Sequence, residues 1–316
     1  MIDCHLHFCD RRRFAELERF CDRMGLGHAG LVSLPDPQRG TYNDEVRYAL
    51  RQNPGRYAGF GCLDYRPTAV VGPDYARQVV QLHMDGFAGL KLWIGKPAIE
   101  RLFGITLWDE RIGAALNAAG DLQMPVLVHI ADPPDFWLPR GALAVGFPSF
   151  QSYLERFERL IDDHPQVRFL GAHLLFLGGG GPRELQRILE SHPNLSVDTA
   201  PGRWFYKVLH DHVQETQELF ATCSSQILLG SDVMFFAPED HVFPYVDEDQ
   251  NAAVLGRIKG FLSKKDSWFE DPYPRPLPSG ETGPQRLRTL GLPPEIVRAV
   301  CELNASRLLR FAGTGN

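Results

Sequence analysis

The feature that most constrains this chain is a repeated alternation of short apolar runs and amphipathic helical stretches. Eight runs rich in Val, Ile, Leu, Phe and Ala are predicted strands, at residues 1–7, 29–34, 57–63, 87–93, 125–131, 167–174, 194–200 and 226–232. Helical patterns separate them, at residues 12–24, 44–52, 74–84, 109–119, 152–163, 183–190 and 205–222, and the last helices fall within 284–311. This alternation is typical of βα units that build a parallel sheet buried on both faces.

Eight successive βα units favour a closed (β/α)8 TIM barrel over an open doubly wound sheet. We expect one domain over residues 1–316, because no low-complexity linker divides the chain and 44% of its residues are hydrophobic. The segment 234–283, after the eighth strand, is rich in Pro, Phe and Tyr. We expect it to form a long irregular lid or rim.

Charge and composition exclude several classes of protein. The formal net charge is −6, from 33 basic and 39 acidic residues, which does not favour a nucleic-acid partner. The start of the chain has no export signal, and charges interrupt every apolar segment before it could span a membrane, so we expect a cytoplasmic protein. The six cysteines form no CxxC pair and are expected to be reduced and mostly buried.

Polar side chains stand at or near the ends of five predicted strands, where the active site of such a barrel lies. They are His5 and His7, Lys91, His129, His173 and Asp232. Side chains alternate across a strand, so His5 and His7 share a face with Asp3. A lone strand-end histidine is more often structural than a ligand, but four of the chain's eleven histidines occur here. Together with the carboxylate they predict a site for a borderline divalent metal.

Five segments resemble the amidohydrolase superfamily: 2–7 (IDCHLH), 126–129 (VLVH), 170–173 (LGAH), 228–232 (LLGSD) and 303–309 (LNASRLL). The resemblance covers nearly the whole chain. The most similar branch is the amidohydrolase-related group that includes aminocarboxymuconate-semialdehyde decarboxylase and several ring-acid decarboxylases and hydrolases. The order of these motifs is specific for the superfamily but does not identify the reaction.

The resemblance implies roles for individual residues. His5, His7, His129 and Asp232 match the ligands of mononuclear members. His173 matches an unliganded histidine that polarises the substrate or helps to move a proton. The implied cofactor is one divalent metal, Zn²⁺ or else Mn²⁺, whose bound water would have a pKa of about 7. Asp232 would be both a ligand and a catalytic proton acceptor.

Lys91 has two interpretations. In binuclear members of the superfamily a lysine on the fourth strand is carboxylated and bridges two metals. His129 and His173 would then bind the second ion. The alternative, which we favour because the most similar branch is mostly mononuclear, is an ammonium group that contacts a substrate carboxylate or a neighbouring acid.

Residues in the loops after the strands are candidates for substrate binding. They are Arg66 after the third strand, Asp132 and Trp137 after the fifth, and Arg203 and Trp204 after the seventh. Each could instead be an ordinary loop residue, and Asp132 could bond backbone amides ahead of Pro133.

Hydrolysis of a C–N or C–O bond in a small, acidic or cyclic substrate is the leading functional hypothesis. In it, Asp232 accepts a proton and His173 stabilises the oxyanion. The alternatives are a non-oxidative decarboxylase of a ring carboxylic acid, a metal-independent lactonase and a noncatalytic binding barrel. The expected partner is a small-molecule substrate, and a homodimer is possible because relatives are often dimers.

Overall fold

The computed structural model describes residues 1–66, 74–138, 141–143, 145–201, 205–240, 245–270, 286–309 and 311. Its strands are β1 Ile2–Phe8, β2 His28–Val32, β3 Pro35–Asp36, β4 Gly40–Thr41, β5 Tyr57–Cys62, β6 Gly89–Gly95, β7 Val126–Ile130, β8 Phe169–Gly171, β9 Leu195–Asp198, β10 Ile227–Leu228, β11 Val233–Phe235, β12 Trp268–Glu270 and β13 Arg286–Arg288. Nine of them form one parallel sheet in the order β10-β9-β8-β7-β6-β5-β2-β1-β11. The remaining four form two small antiparallel pairs, β3-β4 and β12-β13.

The sheet is curled, because its first and last members come from one short stretch of chain. β10 and β11 are separated by four residues, yet they stand at opposite ends of the strand order. Within that stretch the Leu229 carbonyl accepts a hydrogen bond from the Cys4 amide at 2.8 Å, and the Asp232 amide donates to the His5 carbonyl at 2.8 Å. The architecture is therefore an α/β fold consistent with the predicted TIM barrel.

Twelve helices occur in the described residues. They are α1 Phe14–Met24, α2 Asn43–Gln52, α3 Tyr75–Met84, α4 Pro97–Phe103, α5 Glu110–Asp121, α6 Phe150–Asp163, α7 Pro182–Ser191, α8 Phe205–Asp211, α9 Val213–Thr222, α10 Glu248–Ser263, α11 Pro294–Arg298 and α12 Asn304–Leu308. Most lie between the strands, as the alternation predicts. α6 shows why such segments are helical: the Ser149 hydroxyl accepts from the Ser152 amide at the N-terminus, and Phe150, Leu154, Phe157 and Ile161 form a buried face.

Three expectations are corrected by the structure. The segment after the eighth strand is not wholly irregular, because it contains the 16-residue helix α10, which begins with a capping box between Asp247 and Gln250. The sixth predicted strand, 167–174, ends at Gly171. The eighth, 226–232, is interrupted after Leu228, and pairing resumes only at Val233.

Two other sequence expectations concern the thiols and the membrane. All six cysteines are free and buried, as expected. Of the helices in the described ranges, none combines the length and the apolar character that a bilayer crossing requires.

Candidate metal centre and active site

Three side chains converge where β1 meets the stretch between β10 and β11. The Nε2 atoms of His5 and His7 are 3.3 Å apart. Asp232 Oδ1 lies 3.0 Å from the Nε2 of His7 and 3.6 Å from that of His5. Both histidines are buried. The three groups could together hold a metal ion.

The other ring nitrogens of these histidines show which protonation state faces the centre. His7 Nδ1 lies 3.2 Å from the Val32 carbonyl, which can only accept, so Nδ1 carries the hydrogen. His5 Nδ1 lies 2.8 Å from Asp198 Oδ2 and likewise donates. In the neutral rings both Nε2 atoms therefore present lone pairs to each other and to a carboxylate. A divalent cation satisfies this arrangement, so the residues fit the implied metal.

Asp198 has a second function in the same centre. Besides His5, it accepts hydrogen bonds from the backbone amides of His173 and Ala200, each at 2.9 Å. Burial would raise the pKa of Asp198, but the charge and hydrogen bond of His5 outweigh burial and hold it below its usual value. One buried carboxylate thus fixes both His5 and the turn that carries His173.

Asp232 is held by its backbone. Its φ of 56° lies in the left-handed region, which a non-glycine residue adopts at some cost. The preceding Ser231 is fixed by Asp3, whose Oδ2 accepts from the Ser231 hydroxyl at 2.5 Å. Burial would raise the pKa of Asp232, but the hydrogen bond of His7 and the nearby imidazoles lower it overall. Asp232 is consequently a carboxylate at neutral pH.

His129 and His173 form a second pair beside the first. His173 Nδ1 donates to the Ala200 carbonyl at 3.1 Å, so Nε2 of the neutral ring is an acceptor. His129 Nδ1 lies 3.2 Å from that atom. If His129 Nδ1 donates, its Nε2 keeps a lone pair. This buried nitrogen lies 3.9 Å from Asp132 Oδ1 and has no partner at hydrogen-bond distance in the described part of the chain. The predicted fourth ligand therefore lies with His173, outside the group of three, but retains a nitrogen that could bind a cation.

Burial keeps this second pair neutral. It lowers the pKa of His129 to about 3, and it also lowers the pKa of His173. Burial likewise lowers the pKa of Lys91 to about 8, while the charges of Asp198 and Asp232 oppose that shift. Lys91 lines the same cavity. An ammonium group and a carboxylated lysine both remain compatible with its position.

A left-handed turn carries His173. Residues 173–178 have φ between 46° and 59°, and all but the last are non-glycine. Such a conformation costs roughly 1–2 kcal/mol per L-residue. Burial of Leu174, Leu175 and Leu177 offsets this cost. The turn also stacks Phe176 on the His173 ring, with centroids 5.3 Å apart.

These groups line a cavity of about 260 Å³. Leu34, Trp93, Phe176 and Met234 provide apolar walls, and Lys91 and Lys96 provide cationic groups. The Lys96 ammonium pairs with the Asp132 carboxylate. The cavity therefore combines apolar and aromatic walls with two ammonium groups and two carboxylates, Asp132 and Asp232.

Of the five residues predicted to bind substrate, the structure places one in the lining of the cavity and two outside it. Asp132 lines the cavity. Arg66 does not: its guanidinium pairs with both oxygens of Asp64. Trp137 is also outside the cavity lining, and its indole donates to the Pro148 carbonyl at 2.8 Å. Arg203 and Trp204 lie outside the described residues.

Four residues of the site were missed from sequence. Asp198 ends β9, so the strand-end rule that selected Asp232 could have selected it as well. Trp93 lies near the end of β6, and Lys96 directly follows this strand; both come after Lys91 in the sequence. No sequence feature marks Phe176 as a site residue, because its position in the cavity depends on the left-handed turn.

Comparisons with known proteins identify the family and support the fold. A model of the amidohydrolase family matches residues 2–311. A search of curated protein sequences found no match.

Three solved structures illustrate the fold similarity. An amidohydrolase from Burkholderia multivorans with bound zinc is 12% identical, with TM-score 0.55, and the match covers 98% of this chain and 99% of that one. A 4-oxalomesaconate hydratase from Rhodopseudomonas palustris is 14% identical, with TM-score 0.55 and coverage of 98% and 95%. A 5-carboxyvanillate decarboxylase from Novosphingobium aromaticivorans, complexed with manganese, is 18% identical, with TM-score 0.50 and coverage of 81% and 76%.

Proposed function

The chain belongs to the amidohydrolase family, and we propose that it is a divalent-metal-dependent hydrolase of a C–N or C–O bond in a small acidic or cyclic substrate. The observation that carries the proposal is the convergence of two imidazole lone pairs on the Asp232 carboxylate. His5, His7 and Asp232 would hold the ion, with His129 as a further ligand, and zinc or manganese suits this donor set. A bound divalent ion supplies Lewis acidity and lowers the pKa of a water molecule to about 7.

The protein's own residues would then move protons. Asp232 is ionised at neutral pH and partly exposed to the cavity, so it can accept a proton from the attacking water. His173 exchanges protons only at Nε2, because Nδ1 is engaged by Ala200. A neutral Nε2 accepts a proton. The oxyanion-stabilising role expected for His173 therefore requires that it first become protonated.

The cavity supports an acidic substrate. The lining holds two ammonium groups, Lys91 and Lys96, and two carboxylates, Asp132 and Asp232. Asp132 pairs with Lys96 and Asp232 would be neutralised by the ion, so buried Lys91 is left to attract a substrate carboxylate with little screening by water. The Asp132 partner of Lys96 is itself nearly buried, so it keeps the ammonium of Lys96 at the edge of the cavity. Trp93 and Phe176 offer aromatic surface to a ring.

A decarboxylase of a ring carboxylic acid is the second candidate. The apolar walls favour it, because loss of charge as CO₂ leaves is easier in a poorly solvated site. His173 Nε2, once protonated from solvent, could deliver that proton to the ring carbon. The manganese-bound 5-carboxyvanillate decarboxylase has the same fold.

One experiment separates these reactions. Protein loaded with zinc or manganese is incubated in ¹⁸O-water with amides, lactones and ring carboxylic acids. Hydrolysis incorporates ¹⁸O into the product, whereas decarboxylation releases CO₂ without water uptake. Activity that survives complete chelation would instead support the metal-independent lactonase.

The same assay tests the role of Asp232. Asp232→Asn should lower the turnover rate at least about a hundredfold, while the circular dichroism spectrum stays unchanged. His212→Gln is the control, since His212 is exposed and its side chain pairs with Glu215, away from the cavity. An unchanged rate in Asp232→Asn would eliminate the proposed mechanism.

A further inference from the structure

A second cavity, of about 670 Å³, lies beside the metal group. It shares Pro201, Asp232 and Met234 with the cavity described above. Its other wall comes from Tyr245, Val246 and α10. The two cavities therefore adjoin at Asp232, Pro201 and Met234, so an elongated molecule could reach from one toward the other.

Helix α10 is fixed against this junction. The side chain of buried Asn251 bonds both backbone groups of Met234: its Nδ2 donates to the carbonyl at 2.9 Å, and its Oδ1 accepts from the amide at 3.2 Å. Gln250, Val254 and Arg257 line the cavity at spacings of four and three residues, so they share one helix face. That face is held at a constant distance from the metal group.

Arg257 is the charged residue that this face offers. Of the cavity's described lining, only Asp232 and Arg257 carry charge. Arg257 is half-buried, and among the described residues no carboxylate pairs with its guanidinium. Arg66 differs, because Asp64 occupies its guanidinium. A half-buried guanidinium that no described carboxylate pairs with can bind a planar anion.

We propose that Arg257 binds a carboxylate on the far end of the substrate, in the second cavity, while the reacting end lies at the metal group. The substrate class is therefore a dicarboxylate or a ring acid with a second carboxylate. A guanidinium can bind a carboxylate through two parallel hydrogen bonds, which fixes both distance and orientation. This inference rests on the proposed function only in assigning the first cavity to the reacting end.

The test measures binding and needs no substrate. Zinc-loaded protein is titrated calorimetrically with linear dicarboxylates from malonate to adipate and with monocarboxylates of equal chain length. At the chain length that spans the two cavities, the dicarboxylate should bind about tenfold more tightly than its monocarboxylate. Arg257→Gln should remove this preference and Arg257→Lys should restore part of it. Zinc content after each titration controls for removal of the metal.

Arg298→Gln is the matched control, because Arg298 is exposed on α11 and lines neither cavity. It should keep the full preference. The proposal is overturned if no dicarboxylate in the series exceeds its monocarboxylate, or if the preference persists in Arg257→Gln. An Arg257-dependent preference in a protein without hydrolase or decarboxylase activity would overturn the proposed function and leave the anion site standing.

Discussion

At the scale of single residues, Asp198 determines how His5 presents its metal-binding nitrogen. Its carboxylate accepts from His5 Nδ1 at 2.8 Å and is completely buried. A carboxylate behind a metal-ligating histidine fixes the ring, selects the tautomer and makes the other nitrogen more basic. The strand-end rule predicted His5, His7 and Asp232 because they point into the site. Asp198 also ends a strand, β9, but its position behind His5 is visible only in the structure.

Replacing Asp198 tests this role. Asp198→Asn keeps the size of the side chain but removes the charge, so zinc affinity should fall about 10- to 100-fold. The readout is competition of the apoprotein with a chromogenic chelator. Asp162→Asn is the matched control, because exposed Asp162 lies 3.4 Å from His192 Nε2, away from the site. Equal affinity in Asp198→Asn and the natural sequence would refute the role.

At the scale of elements, the sequence predicts a strand or helix where buried residues recur at a regular spacing. It does not predict the conformation where tertiary contacts override the backbone preference of the residues. The buried strands and the amphipathic helices were predicted in the right order. The turn at 173–178 was not, because Leu and Phe do not favour positive φ and only their burial imposes it. The positions of the Arg66 and Trp137 side chains depend on their contacts with Asp64 and Pro148. The sequence pattern does not predict these contacts.

The contact between β1 and β2 should be sensitive to one methyl group. A Cβ on Gly30 would lie 2.6 Å from the Cys4 carbonyl oxygen, a backbone atom that cannot move independently of β1. Gly30→Ala should therefore destabilise the protein by about 1–3 kcal/mol. Urea unfolding measures the change.

Gly256→Ala is the opposite case. A Cβ there meets nothing within 4 Å, and Gly256 lies inside α10. This variant should be stabilised by about 0.5–1 kcal/mol, because alanine loses less backbone entropy in a helix. Equal effects of the two substitutions would contradict the close approach at Gly30.

At the scale of the whole molecule, Glu100 should make stability depend on pH. Burial raises its pKa from 4.5 to about 7, and the Tyr153 hydroxyl donates to its carboxyl at 2.9 Å. Between these two values the folded state keeps a proton that the unfolded state releases. The contribution of Glu100 to stability should therefore be fully present below pH 4.5 and be lost as pH rises through about 7.

Glu100→Gln removes this titration and keeps an acceptor for Tyr153. At about pH 8 the variant should be roughly 1–2 kcal/mol more stable than the natural sequence, and the difference should shrink by about pH 5. Chemical unfolding at both pH values provides the comparison. A difference that does not change with pH would show that Glu100 ionises normally in the fold.

His5, His7 and Asp232 should bind one divalent ion, and the metal content of the protein measures this directly. Elemental mass spectrometry on protein reconstituted with zinc or manganese, then freed of excess metal, should give about one ion per chain. His7→Ala should bind almost none, and His212→Ala should match the natural sequence. No bound metal in the natural sequence, or an unchanged content in His7→Ala, would contradict the account. Two ions per chain would also contradict it and favour a carboxylated Lys91 with His129 and His173 at a second site.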